Sequence, residues 1–369
     1  MRVPFFRYPS VFESQSEELV EQFMGVGARG AFILQNDLRE FEESLACRLG
    51  VKFAVGVGNC TDGLLLALRA AGIGPGDEVL FCSHTMVATA AAIHFCGATP
   101  VPVECGADHL MDPLALEQAV TSKTRAVMPT QLNGRVCEMD RIREVADRHE
   151  LIIVEDAAQA LGAKFRGTCA GAFGLAGAFS FYPAKTLACL GDGGAVVTND
   201  AEIYRKLLLL RDHGRNEEGD VVAWGLNSRL DNLQAAFLNC RLPRYDAEIE
   251  RRRDIAAEYQ SRLGAIEELQ LPPGPDSHPD HFDIFQNYEV EAERRDDLRE
   301  FLKERGIGTL VQWGGKAVHQ FRKLGFDVSL PFTERMFERC LLLPMNTFLS
   351  DDDVTYVCEC IAEFYEAGA

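Results

Sequence analysis

Between about residues 50 and 200 the chain alternates short apolar, β-rich runs with stretches of helical apolar spacing, and this alternation narrows the possible folds most. The expected strands are Lys52–Val57, Glu78–Cys82, Thr99–Val103, Arg125–Thr130, Leu151–Glu155, Gly177–Phe181 and Ala195–Thr198. Leu64–Ala71, Thr85–Phe95, Pro113–Ala119 and Met139–His149 lie between them with the apolar spacing of helices packed on a sheet. Such alternation predicts an α/β layer around a mostly parallel sheet, whose ligands gather at the carboxyl ends of the strands. Gly74-Pro75-Gly76-Asp77 is a turn leading into one strand.

At 369 residues the chain suits two closely packed domains. A charged helix is expected from Tyr245 to Leu263, with Glu248–Arg252 attractive and Glu250–Asp254 repulsive at i,i+4. This pattern reads as a solvated or domain-linking helix, with Arg251-Arg252-Arg253 on its solvated face. A Pro- and Gly-rich loop (Leu271–Asp280) and a smaller α+β region follow. The expected division is 1–245, a large ligand-binding domain with the N-terminal segment, and 246–369, a small C-terminal domain.

The formal charge of −19 repels phosphate backbones, which argues against nucleic-acid binding. An anionic ligand must therefore be captured locally. None of the twelve cysteines forms a CxxC pair, so no metal site is expected. Met1-Arg2-Val3-Pro4 does not open an apolar signal segment, and no apolar run reaches the ~20 residues of a spanning helix. Reduced thiols in the cytoplasm, away from any membrane, are the simplest account.

Three segments carry chemistry. Leu151-Ile152-Ile153-Val154-Glu155-Asp156 delivers acidic residues at the end of an apolar strand. A carboxylate there, with Asp156 the candidate, keeps a pyridine nitrogen protonated so that the ring acts as an electron sink. The competing reading of Asp156 is a helix N-cap. In Phe179-Ser180-Phe181-Tyr182-Pro183-Ala184-Lys185-Thr186, Lys185 follows an aromatic, proline-stiffened strand end. Desolvation there favours the nucleophilic amine, whereas an ordinary surface lysine stays charged. Gly58-Asn59-Cys60-Thr61-Asp62-Gly63 joins a strand to an apolar helix, whose exposed N–H groups suit phosphate, with Thr61 as cap and contact. Gly191-Asp192-Gly193-Gly194 permits tight turns near a ligand. Two other residues have bland alternatives: His213 as a general base or a loop residue closing a helix, and Trp313 as a sugar-pocket wall or core packing.

The phrases GNCTDGLLLAL, GPGDEV, EDAAQALGA, FSFYPAKTL, GDGGAVVTND and GLNSRLDNLQAA stand in one order along the chain. In that order and spacing they resemble the DegT/StrS family of sugar aminotransferases, from about residue 4 to the C-terminus and most strongly between 50 and 240. The resemblance implies the aspartate-aminotransferase-like fold (fold type I) and a pyridoxal 5'-phosphate cofactor, cycling through pyridoxamine 5'-phosphate. It implies Lys185 as the Schiff-base lysine, Asp156 as the pyridinium partner and Gln159 near the ring's phenolic oxygen. Cys60, Thr61 and Ser180 match the phosphate pocket, and Asn227 matches an asparagine that reaches the neighbouring subunit's cofactor. A homodimer with shared active sites is implied. A branch of the family that dehydrates its substrate has histidine at the lysine, so Lys185 favours transamination.

Two positions depart from the family. His84-Thr85-Met86 places methionine where an aromatic residue usually stacks on the ring, and Gln131-Leu132-Asn133-Gly134 replaces the usual His-Leu-Tyr-Gly. The implied reaction moves an amino group, by family habit from glutamate, to a nucleotide-linked keto sugar, with Lys185 as acid and base. A keto-cyclitol acceptor is one alternative. A pyridoxal-phosphate-binding regulatory protein without turnover is another, and the intact Lys185, Asp156 and Gln159 argue against it.

Overall fold

In the structure, a computed structural model that describes residues 2–367, the apolar runs become one seven-stranded sheet. Met1, Gly368 and Ala369, at the outer limits of the two expected domains, lie outside the described residues. Helices α1 (Tyr8–Glu13), α2 (Ser16–Arg29) and α3 (Asn36–Leu49) lead into β1 (Phe53–Val57). Then α4 (Cys60–Ala70), β2 (Glu78–Cys82), α5 (Val87–Phe95), β3 (Thr99–Val103), α6 (Pro113–Gln118), β4 (Thr124–Met128), α7 (Met139–Arg148) and β5 (Ile152–Asp156) alternate. A hairpin of β6 (Lys164–Phe165) and β7 (Thr168–Cys169) precedes β8 (Ala176–Ser180) and β9 (Gly194–Thr198).

The sheet order is β1-β9-β8-β5-β4-β2-β3. β3, β2, β4, β5 and β8 run parallel, while β9 is antiparallel to both β8 and β1. The carboxyl ends of β1, β5 and β8 therefore share one edge with the start of β9. Both sheet faces are covered: Val127, Ile153 and Val197 enter one apolar core, and Met128, Val154 and Val196 the other. This explains why the strands read as near-continuous apolar runs. All seven expected strands form, with ends displaced by no more than two residues. Helix starts were read less well. α4 begins at Cys60 rather than Leu64, and α5 at Val87 rather than Thr85, because the cap residues Asn59 and Met86 set those ends.

After α8 (Ala201–Arg211) and α9 (Asn232–Arg241), α10 (Tyr245–Leu263) crosses to a smaller layer. That layer holds β10 (Leu269–Gln270), β12 (Tyr288–Ala292), α11 (Arg295–Glu304), α12 (Pro331–Arg339), β13 (Cys340–Leu343) and α13 (Asp351–Glu366); β11 (His281–Phe282) pairs instead with β6. A third core collects Ile255, Tyr259, Leu298, Leu302, Val357 and Ile361. Val3 joins this core, its N–H bonded to Gly306 O at 3.0 Å, so the start of the chain packs on the C-terminal layer.

The solvated face expected for Arg251-Arg252-Arg253 is a misreading. Arg252 and Arg253 are each only 8% exposed. Arg252 Nη1 donates to the carbonyl oxygens of Phe285 (3.1 Å), Gln286 (3.2 Å) and Met345 (2.9 Å), and Arg253 Nη1 to that of Asp283 (2.9 Å). The guanidinium forks satisfy carbonyls at a turn that has no partner strand, which charge counting on a helix cannot anticipate. Only Arg251 stays at the surface, paired with Asp351 at 2.9 Å. No helix among the described residues is long and apolar enough to cross a membrane.

Candidate active site

The pleat at the end of β5 separates two neighbouring carboxylates. Glu155 is bound by the N–H groups of Gly171 (2.8 Å), Phe173 (2.6 Å) and Gly174 (2.9 Å) and by Gln131 Nε2 (2.8 Å), so it serves the scaffold. Asp156, 4% exposed, faces the strand edge. Its Oδ2 accepts from Thr89 Oγ1 at 2.7 Å and its Oδ1 from the Ala158 N–H at 3.2 Å. No helix follows it, so it is not a helix cap. Because Thr89 gives its proton to the carboxylate, the 2.7 Å contact with Thr85 must be donated by Thr85, which in turn accepts from Thr130 at 3.1 Å. Three hydroxyls thus point one way and end on Asp156. Burial pushes the Asp156 carboxyl up, opposed by Thr89, the Ala158 N–H and the Lys185 charge.

Lys185 sits in a turn closed by its N–H on Tyr182 O at 2.8 Å. Gln286 clamps both neighbours, its Nε2 donating to Ala184 O (2.8 Å) and its Oε1 accepting from the Thr186 N–H (2.9 Å). Burial lowers the affinity of the Lys185 amine for its proton, against the opposing influence of Cys60 and Asp156. Burial also pushes the Cys60 thiol well above its usual value, so Cys60 is neutral and Asp156 is the one real counter-charge. Lys185 forms no ion pair among the described residues. The result is an amine, a carboxylate and a thiol brought together at one strand edge.

The cap of α4 is Asn59, not Thr61: Asn59 Oδ1 accepts from the Asp62 N–H at 2.9 Å. Ser228 Oγ ties the same loop, donating to Asp62 Oδ2 (2.7 Å) and accepting from the Gly58 N–H (3.0 Å). Asparagine is at least as good a cap as threonine, and capping at Asn59 starts the helix two residues earlier than Thr61 would. Cys60 and Thr61 thereby occupy the first turn, where N–H groups are unpaired. A Cβ on Gly194, at the start of β9, would lie 2.6 Å from the Asn59 carbonyl carbon and 2.8 Å from Cys60 N. Only glycine permits that approach. Ser180 closes β8 beside it, its Oγ accepting from Tyr182 N at 3.4 Å.

Gln159 Oε1 accepts from the Asn133 N–H (2.8 Å) and from Asn287 Nδ2 (3.4 Å). Met86 is the cap of α5, 49% exposed, with its sulfur accepting from Ala88 N at 3.0 Å. Asn227 is exposed, pairing through its backbone with Asp212, and nearby Trp224 is 94% exposed. Trp313 is partly buried, edge-on to His84 (centroids 5.5 Å) and tilted against Phe337 (6.2 Å). His213 stands beyond the end of α8 with φ 59°, its N–H on Leu226 O at 2.8 Å, as a loop residue would.

Behind Gln159 lies a buried group that sequence reading missed. His84, His109 and Glu289 hold three potential ligand atoms within 4.8 Å of one another. Glu289 is already occupied, however: Oε1 accepts from His109 Nδ1 (3.0 Å) and Asn133 Nδ2 (3.3 Å), and Oε2 from Gln312 Nε2 (2.7 Å). Burial alone would pull the His109 imidazole down, but Glu289 and Glu291 overcome it and raise it to about 9. Burial likewise opposes the charge on Glu289, yet His84 and His109 hold its carboxyl well below the usual range. The donor set is that of a charged hydrogen-bonded cluster rather than of an open metal centre. Thr89, Gln286 and Glu289 carried no sequence signal, since each acts through partners remote in the chain.

Comparison with known proteins points the same way. A model of the DegT/DnrJ/EryC1/StrS aminotransferase family matches residues 13–362. The dTDP-3-amino-3,4,6-trideoxy-alpha-D-glucose transaminase of Streptomyces venezuelae is 42% identical over 371 residues, covering 99% of this chain and 97% of that protein. The crystal structure of S. venezuelae DesV superposes with a TM-score of 0.95 at 42% identity, covering 99% of this chain and 98% of that one. NtdA from Bacillus subtilis, solved with bound cofactor PMP, has a TM-score of 0.90 at 25% identity, with coverage of 99% and 85%.

Proposed function

The chain belongs to the DegT/DnrJ/EryC1/StrS aminotransferase family, and on that premise we propose that it is a pyridoxal-phosphate-dependent enzyme that aminates a nucleotide-linked keto sugar, with glutamate as donor. The observation that carries the reading is the placement of Lys185, in the turn after β8, beside the buried Asp156 carboxylate that ends the paired strand β5.

These residues fit the cofactor. A carboxylate that burial disfavours as an anion gains its compensating charge from a protonated ring nitrogen. The first turn of α4, with Cys60 and Thr61, and Ser180 at the end of β8 form the phosphate cradle. Gln159 serves the ring oxygen, and Met86 covers the ring. When bound, pyridoxal phosphate supplies the carbon that carries the amino group and the electron sink that makes the neighbouring proton acidic. Lys185 Nζ holds the cofactor, takes the proton from the donor's α-carbon and, in the second half-reaction, gives a proton to the sugar carbon that receives the amine. Gln286, gripping the backbone on both sides of Lys185, fixes where that amine can reach.

The working form in this reading is a cytoplasmic homodimer with domains 1–245 and 246–369, in which Asn227 completes the phosphate site of the partner subunit. The exposure of Trp224 and Asn227 on the single chain supports a covered face there. Trp313 is assigned to the sugar side of the site. The test is a panel of nucleotide-linked keto sugars and keto-cyclitols offered with glutamate, read by mass spectrometry. Amination of a nucleotide sugar is expected; amination of cyclitols alone would overturn the substrate class.

A further inference from the structure

Gln159 can help a cofactor oxygen only if its amide presents N–H rather than C=O to the site, and a free glutamine side chain turns either way. Here its Oε1 is held by the Asn133 N–H (2.8 Å) and Asn287 Nδ2 (3.4 Å). Neither N–H of Gln159 Nε2 has a protein partner among the described residues. Asn133 aims its backbone at Gln159 because it adopts φ 55°, a left-handed conformation that asparagine tolerates. Gly134 follows at φ 92° and passes so close to the next layer that a Cβ would lie 2.7 Å from the amide nitrogens of Phe285 and Gln286.

The Asn133 side chain is held at both ends of its amide. Its Oδ1 accepts from Asn287 Nδ2 (2.8 Å) and Gln312 Nε2 (3.1 Å), and its Nδ2 donates to Glu289 Oε1 (3.3 Å). Glu289 in turn holds Gln312 at 2.7 Å and His109 at 3.0 Å, with His84 Nε2 at 3.4 Å. His84 Nδ1 must donate to the His109 carbonyl at 2.9 Å, which leaves His84 Nε2 to face that carboxylate. Each of these bonds removes one rotational choice, and at Gln159 they leave the donor end of the amide free to face the site.

We propose that Glu289 and Asn133 are positioning residues that lock Gln159 as a hydrogen-bond donor to the cofactor's ring oxygen. The inference rests on the reading of the site as a pyridoxal-phosphate site. It assigns a purpose to the asparagine at 133: its side chain is an amide hub between Gln159 and the Glu289 cluster. Glu289 touches no reacting atom and acts only through Asn133.

The experiment is an absorbance titration of the holoenzyme, whose bound cofactor would change spectrum on losing the proton shared by its ring oxygen and the Lys185 nitrogen. The titratable groups of the site are Lys185, Asp156 and Cys60, with His84, His109 and Glu289 behind Gln159. A donor favours the deprotonated oxygen, so Gln159→Ala should raise the titration midpoint by about one pH unit, the scale of one charge-assisted hydrogen bond. Asn133→Gly keeps the backbone conformation but deletes the hub, and Glu289→Gln removes its anchor. Each should raise the midpoint in the native background and change nothing when added to Gln159→Ala. A shift of equal size in the Gln159→Ala background would mean that the cluster acts as a bare charge, and no shift in either background would mean that it is scaffold; both overturn the proposal. Should Glu289→Gln fail to fold, Asn133→Gly carries the same comparison. If the unmutated protein shows no cofactor spectrum at all, the function is misread, which is a separate failure.

Discussion

Thr89 Oγ1 donates a 2.7 Å hydrogen bond to Oδ2 of Asp156, joining the first turn of α5 to the end of β5. The bond stabilises the ionised carboxylate in a place where burial works against it. Thr89→Val keeps the shape and removes the donor. Hydrogen bonds to charged groups contribute about 1.5–3 kcal/mol, so cofactor affinity should fall by about tenfold or more, while Thr89→Ser should restore most of it. Equilibrium dialysis of the cofactor reads this directly. Unchanged affinity in Thr89→Val would remove Thr89 from the site.

The His109–Glu289 pair makes a statement about pH and stability. His109 is raised to about 9 in the folded chain from an ordinary value near 6.5. Its contribution is therefore fully present below pH 6.5 and is lost as the pH climbs through 9. By linkage the loss amounts to at most about 3 kcal/mol across that window. The melting temperature should fall by a few degrees between pH 6.5 and 9, and His109→Gln should flatten that segment of the curve. Parallel curves for the two proteins would contradict the assignment.

Asn227 and Trp224 test the dimer. Trp224, 94% exposed on the single chain, should be covered by the partner, and Trp224→Asp should yield a monomer by analytical ultracentrifugation with little residual activity. Mixing inactive Lys185→Ala with an inactive Asn227→Ala protein should restore part of the activity, because one site of each hybrid is whole. Absence of recovery despite proven subunit exchange would place Asn227 outside the partner's site.

How much of this was legible in the sequence follows from where each signal resides. The strands were legible because both sheet faces are buried, which forces near-continuous apolar runs such as Ile152–Val154. Helix starts were less legible because a single polar residue decides them, as Asn59 does in place of Thr61. Glu155 and Asp156 look alike in sequence; the pleat and the Gly171–Gly174 loop separate their roles. Arg252 was misread because its partners are backbone carbonyls near Phe285 and Met345, far away in the chain. The hub at Glu289 was invisible for the same reason: its partners His84, His109, Asn133 and Gln312 come from four separate segments.

The central claim is that Lys185 holds the cofactor and moves the proton. Borohydride reduction of the holoenzyme followed by peptide mapping should find a pyridoxyl group on the peptide containing Tyr182–Thr186. In the same preparation, glutamate should convert the unreduced enzyme to its pyridoxamine form. Lys185→Ala should retain cofactor but lose that half-reaction by several orders of magnitude. A pyridoxyl label on any other lysine, or a half-reaction undiminished in Lys185→Ala, would contradict the account.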